Sequence, residues 1–185
     1  SSTSRGLGDV YKRQIPGSFW IPALFIKTFG FSAWAIIAPN GLAAIGAALI
    51  TAVTARRIAG TGAGLFAGAI VATTPILVAV SRSNQPEMFF VLCLSAVAWA
   101  ATHAVQQRRL RWLLAAGAFI ALAFQTYMLE AWAVWPALAA AYLTTKQPWL
   151  RKIWHLAGAG IASLVLSLSW IIIVSLIPCL LYTSP

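Results

Sequence analysis

Met88–Val105 reads MFFVLCLSAVAWAATHAV and is followed by QQRRLR at Gln106–Arg111. The first stretch carries no charge, and three arginines then arrive within six positions. At 1.5 Å rise per residue an uncharged helix of that length reaches most of the way across a hydrocarbon core of ~30 Å, and a basic cluster is what halts a span at the interface. The same pattern repeats in both directions. Phe31–Ala55 is apolar and is stopped by Arg56–Arg57. Ala63–Val80 is followed by the polar Ser81–Glu87 (SRSNQPE). Trp112–Thr145 has weak interruptions, at Gln125–Tyr127 and Glu130, and at roughly 17 residues per pass it accommodates a tight hairpin of two short spans. Lys146–Lys152 (KQPWLRK) is another basic loop, and Ile153–Ile177 a last apolar run. Ile15–Gly30 is apolar but holds Pro16, Pro22 and Lys27; it is too short and broken to span and suits a helix lying in the interface. The pattern predicts an all-α polytopic transmembrane helical bundle of about six spans, preceded by an N-terminal interfacial helix.

Composition excludes the competing classes. Hydrophobic residues make up 61% of the 185 and charged residues 9%, against about 25% charged in a soluble domain. Two cysteines are too few for a disulfide scaffold. A net charge of +10 would suggest nucleic acid in a soluble chain; here the cations sit between apolar runs, so the partner they imply is the lipid bilayer, and no nucleic acid. Three of the thirteen Lys and Arg (Arg5, Lys12, Arg13) lie in the first fourteen residues. Of the other ten, eight fall in the loops at 56–57, 106–111 and 146–152, which alternation of spans puts on one side. The positive-inside rule makes that side cytoplasmic. Lys27, Arg82, Glu87 and Glu130 fall on the other. Trp112, Trp149 and Trp154 flank the basic loops and Trp34, Trp132 and Trp135 the opposite ends, as an aromatic belt does.

The two termini read as foreign to the rest. Ser4–Gln14 (SRGLGDVYKRQ) and Cys179–Ser184 (CLLYTS) back-translate into inverted copies of one DNA string that resembles a transposon-based sequencing adapter. On this reading residues 1–14 and 179–185 are adapter-derived, and 15–178 is part of a longer transmembrane domain. Cys93 is then a lone cysteine in an apolar run, a small buried hydrophobe.

Candidate chemistry concentrates in one place. Gly62-x-Gly64-x-x-Ala67 imitates a dinucleotide fingerprint but lacks the preceding strand that fingerprint needs. His103 and His155 have no acid or cysteine nearby in sequence, so they read as interfacial histidines rather than metal ligands. Arg82, Asn84 and Glu87 lie within six residues at the mouth of two spans. One reading is an ordinary helix cap beside a solvated arginine, because a carboxylate in the first turn is favoured by the helix dipole. The other is a polar site, because ionisable groups at membrane depth are costly and usually functional. Gln125 and Tyr127 lie close to Glu130, the second carboxylate of 15–178.

Four blocks, Ile15–Trp34 (IPGSFWIPALFIKTFGFSAW), Arg56–Gly64 (RRIAGTGAG), Ser81–Glu87 and Phe124–Pro136 (FQTYMLEAWAVWP), resemble in order and spacing glycosyltransferase family 39, the group of protein O-mannosyltransferases and aminoarabinose-transferase-like enzymes. The resemblance implies a GT-C fold in a bacterial-type plasma membrane, with a site on the extracytoplasmic face that moves a sugar from a polyprenyl-phosphate carrier to a protein, lipid or glycan acceptor. It implies an essential acidic pair upstream of Ile15, an approximate match of Arg82, Asn84 and Glu87 to the family's Arg-x-x-Asn-x-Pro-acid block, and Tyr127 where many relatives have Lys. Glu87 is accordingly the candidate supporting catalytic carboxylate, and Lys27, Arg82, Asn84, Gln125, Tyr127 and Glu130 are candidate substrate contacts. No cofactor is expected beyond the lipid-linked donor, although the family resemblance admits a divalent cation. A fragment of a multi-pass transporter or permease is the alternative; such proteins place charges or broken helices at the midplane and show internal repeats.

Overall fold

The computed structural model describes residues 17–83 and 85–181. The readings of residues 1–14, of 182–185 and of Asn84 lie outside them. The described chain is helical from end to end: α1 Gly17–Phe29, α2 Ala33–Thr73, α3 Pro75–Ser81, α4 Glu87–Gln107, α5 Leu110–Tyr127, a 3-10 segment Met128–Val134, α6 Trp135–Leu143 and α7 Trp149–Leu181. Four runs are long and apolar enough to cross a membrane: Ala33–Thr73, Glu87–Gln107, Leu110–Leu143 and Trp149–Ser169. Two of the four reverse within themselves, which is how four runs accommodate the alternation read from the sequence.

The first reversal is set by glycine. Gly60 has φ 89° and ψ 179°, a backbone region that is essentially closed to any side chain. Beyond it the chain doubles back along α2. A Cβ on Gly64 would lie 2.7 Å from the Ala52 carbonyl oxygen, and one on Gly68 would lie 2.9 Å from the Ala52 Cβ. The two legs therefore meet backbone to backbone, the small-residue packing that helices use where hydrophobic burial offers no net drive. The dinucleotide-like Gly62–Ala67 lies inside this helix, as the missing strand foretold.

The second reversal falls after Tyr127. Met128 takes φ 46° and ψ −120°, α5 ends there, and the 3-10 segment and α6 lead back. The return is proved by what it reaches: the Gln147 amide donates to the Arg108 carbonyl at 2.9 Å, and an Arg108 guanidinium nitrogen donates to the Lys146 carbonyl at 3.4 Å. The hairpin expected over Trp112–Thr145 is present.

Cross-links give the direction of each neighbour. α4 and the first leg of α2 run parallel, joined by Asn40 to the Ser83 carbonyl, Thr51 to Ser95, and Arg57 to Gln106. α4 and α5 run antiparallel, with Phe90 against Tyr127 at one end and His103 against Trp112 at the other. α5 and α7 run parallel, and Gly117 lies close enough that an added Cβ would be 3.0 Å from the Ala159 carbonyl oxygen. The principal core joins Val97, Ala100 and Ala104 of α4 to Leu113, Ala116 and Ile120 of α5, with Leu138, Tyr142 and Ala159 closing it. Small residues thus pack inside while large ones face out: Leu65 and Phe66 are 71% and 74% exposed, the arrangement of a lipid-solvated bundle rather than of a water-soluble one.

At the entry, α1 ends on Gly30 at φ 83° and Ser32 accepts the Ala35 N–H to start α2. Pro22 sits within α1 and is buried.

Because the Ala52 carbonyl and Arg56 occupy the space a Gly64 Cβ would need, Gly64→Ala should lower the unfolding free energy by about 1–3 kcal/mol. Gly62→Ala, with open space around it, should be neutral or stabilising by up to ~1 kcal/mol through helix propensity. Unfolding in mixed micelles followed by circular dichroism compares the two.

Candidate functional site

Antiparallel pairing of α4 and α5 sets the first residue of one beside the last residue of the other. Glu87 opens α4 behind Pro86, where the free N–H groups and the positive end of the helix dipole favour a carboxylate. Tyr127 closes α5. Its ring rests against Phe90, with centroids 5.1 Å apart, and its hydroxyl donates to Glu87 Oε1 at 2.8 Å. The second carboxylate oxygen, Oε2, is buried and has no protein partner. One oxygen is thus fixed and the other left unsatisfied inside the protein. Tyr127 is the residue through which the fold orients Glu87.

The remaining candidates distribute around this pair. Glu130 is exposed on the 3-10 segment, near enough for its charge to act on the Tyr127 hydroxyl. Arg82 caps α3 through its backbone N–H, while its exposed side chain makes no hydrogen bond or ion pair with a described residue. Lys27 is exposed on α1 and likewise makes none. Gln125 goes elsewhere. Two helical positions before Tyr127, it faces about 200° away and reaches the Ser167 carbonyl of α7 at 3.5 Å. It braces α5 against α7. His103 stacks on Trp112, with ring centroids 4.3 Å apart, and bonds Gln107; His155 meets the Tyr142 hydroxyl at 2.6 Å. Both lie toward the basic end, in structural roles.

Sequence reasoning missed Asn40. It is 1% exposed, and its Nδ2 donates to the Ser83 carbonyl at 2.6 Å, tying the loop that carries Arg82 to α2. Its Oδ1 is buried and without a protein partner. The signal was visible as an amide in the otherwise apolar start of α2, but its partner lies 43 positions away. A cavity of about 330 Å³ opens beside it, walled by Gly41 and Ala48 of α2's first leg, Val71 of its second, Leu77 and Ser81 of α3, and Met88. The cavity's lining is apolar except for Ser81, and Ser81 and Met88 are the chain neighbours of Arg82 and Glu87. Among the described residues no three His, Cys, Asp or Glu side chains converge, so the described chain offers a divalent cation no complete donor set.

A membrane helical bundle with an oriented carboxylate and an apolar groove between its helices is the class these observations define. The chain matches the family described as dolichyl-phosphate-mannose-protein mannosyltransferase over residues 13–172, and it belongs to that family. It is 37% identical over 171 residues to YycA and 33% identical over 164 residues to YkcB, two proteins of Bacillus subtilis (strain 168) that carry the name putative mannosyltransferase. Those alignments cover 90% and 88% of this chain but 24% and 23% of the relatives, so the chain spans about a quarter of their length. No solved structure matches it.

Tyr127→Phe leaves Glu87 Oε1 without its donor and should cost about 1–3 kcal/mol of unfolding free energy. Glu87→Gln retains an acceptor at that position and should cost less. Denaturant titration of both variants in the same micelle tests the order.

Proposed function

We propose that the chain is part of an integral membrane glycosyltransferase that moves a sugar from a polyprenyl-phosphate donor to an acceptor on the extracytoplasmic face. Family membership supports glycosyl transfer. The observation that carries the site is the Glu87 carboxylate, held by the Tyr127 hydroxyl through Oε1 and left with a buried Oε2 that no protein group satisfies. In the proposed reaction the acceptor hydroxyl or amine attacks the anomeric carbon, the bond from that carbon to the carrier phosphate oxygen breaks, and the phosphate leaves with the electron pair. The acceptor's proton needs a base, and its nucleophile needs orienting. The principal base belongs to the acidic pair that the family places upstream of Ile15. Glu87 supports it by holding the acceptor or a partner group through Oε2. Arg82 is the cation nearest to Glu87 in the chain and serves the phosphate, which a guanidinium can grip with two N–H groups. Lys27 and Asn84 are further candidate contacts, and Glu130 lies on the acceptor side. The apolar groove from Gly41 to Met88 suits the hydrocarbon of the carrier.

Sidedness follows from charge. The cytosolic end is the one where Arg57 meets Gln106 and Arg108 meets the Lys146 carbonyl, because eight cations gather there. The Glu87 end then faces outward.

In the full-length protein Glu87→Gln should reduce transfer by at least about a hundredfold with unchanged membrane insertion. Unaltered turnover removes Glu87 from the site. For sidedness, single cysteines replacing Arg82 or Arg109 in a background with both Cys93 and Cys179 changed to Ser are treated with a membrane-impermeant maleimide on intact cells. Labelling at 82 and not at 109 is the expected result, and the reverse pattern inverts the molecule.

A further inference from the structure

The basic end of the bundle is not used by the transfer chemistry, and its charge is uncompensated. Eight Lys and Arg gather there, and all but Lys152 are exposed. The two carboxylates of the described residues, Glu87 and Glu130, both lie at the opposite end. Like charges held together at a membrane surface repel more strongly than in bulk water, so the neutralising anions must come from outside the described chain.

The fold also fixes some of these cations in a defined arrangement. Arg108 ends α4 in a left-handed conformation at φ 54°. Its carbonyl accepts the Gln147 amide and its guanidinium donates to the Lys146 carbonyl. The loop after α4 and the loop after α6 are thereby knitted into one ledge. Lys152, 9% exposed, strengthens it from below by donating to the Leu143 carbonyl at 2.6 Å. The ledge carries Arg109, Lys146 and Arg151, whose side chains make no hydrogen bond or ion pair with a described residue. Arg151 directly precedes Lys152, whose bond to the Leu143 carbonyl ties the start of α7 to the end of α6 just before this loop. Trp149 and Trp154, 64% and 70% exposed, stand beside it, as aromatic side chains do at headgroup depth.

We propose that this ledge, Arg109, Lys146 and Arg151 held by the Arg108–Gln147 knot, is a binding site for the phosphate headgroup of an anionic bilayer lipid, with Trp149 and Trp154 framing its acyl chains. Phosphate is the anion a bilayer supplies at this depth. Three exposed cations carried by two loops that the fold already ties together offer donors without ordering a loop. The site lies at the other end of the bundle from Glu87 and does not rest on the transferase reading.

The test uses the full chain purified in a neutral detergent and titrated with phosphatidylglycerol or phosphatidylcholine, with bound lipid counted by native mass spectrometry. Phosphatidylglycerol should be held at least about tenfold more tightly. The triple variant Arg109→Gln, Lys146→Gln, Arg151→Gln should lose that preference. The charge-matched triple Arg56→Gln, Arg57→Gln, Arg111→Gln, on the same end but off the ledge, should keep most of it. Arg108 is left intact because it holds the loops together. Circular dichroism confirms that each triple remains helical. Raising salt on the unmodified chain needs no variant and should weaken the preference; an unchanged preference overturns the proposal. So do equal binding of the two lipids, equal loss in both triples, and displacement of phosphatidylglycerol by inorganic phosphate at matching concentration, which would identify free phosphate as the ligand.

Discussion

The antiparallel register of α4 and α5 is the constraint on which the rest of the molecule depends. It pairs Phe90 with Tyr127 at one end and His103 with Trp112 at the other, and between them it buries Val97, Ala100, Leu113 and Ile120. A slip of one residue would rotate each helical position by about 100° and carry the Tyr127 hydroxyl away from Glu87. The register is held by small residues inside the bundle, which let backbones approach, and by polar pairs at the ends, where an unmet donor or acceptor is expensive. Other elements attach to this pair: α2 runs along α4 through Asn40, Thr51 and Arg57, and α7 runs along α5 through Gly117 and Gln125.

Charge divides the bundle into two chemically distinct ends. One end has two carboxylates and a tyrosine aimed at one of them. The other has eight cations and no carboxylate among the described residues. In an interior that cannot hydrate ions, separation of this kind is inexpensive only if each end meets a compensating environment. At the basic end that environment is lipid phosphate. At the acidic end the Glu87 Oε2 and the Asn40 Oδ1 are buried without a protein partner, and each calls for a donor from outside the described residues.

Much of this was legible in the chain. Runs such as Met88–Val105 announced membrane helices because hydrocarbon length is a physical ruler, and Arg108–Arg111 announced their ends because charge stays out of that medium. The weak break at Gln125–Glu130 announced a hairpin. The start of α4 at Glu87 was readable from Pro86 and the carboxylate after it. The pairing of Glu87 with Tyr127 was not readable, since it joins residues 40 positions apart through a helix register that no local pattern encodes. Gln125 likewise has a partner that no local pattern encodes, the Ser167 carbonyl of α7. Asn40 escaped notice for the same reason as Tyr127's true role: the meaning of a single polar side chain in an apolar helix is its distant partner.

The sequence by itself determined the medium and the asymmetry of charge, because transfer free energy and helix rise act on each segment independently of the others. The tertiary structure alone decided which groups meet. The Gly60 reversal, the backbone contact at Gly64 and the α4–α5 register depend on how whole helices pack, and packing is a property of pairs of surfaces. Only that packing turned an isolated glutamate into an oriented carboxylate, and two basic loops into one ledge.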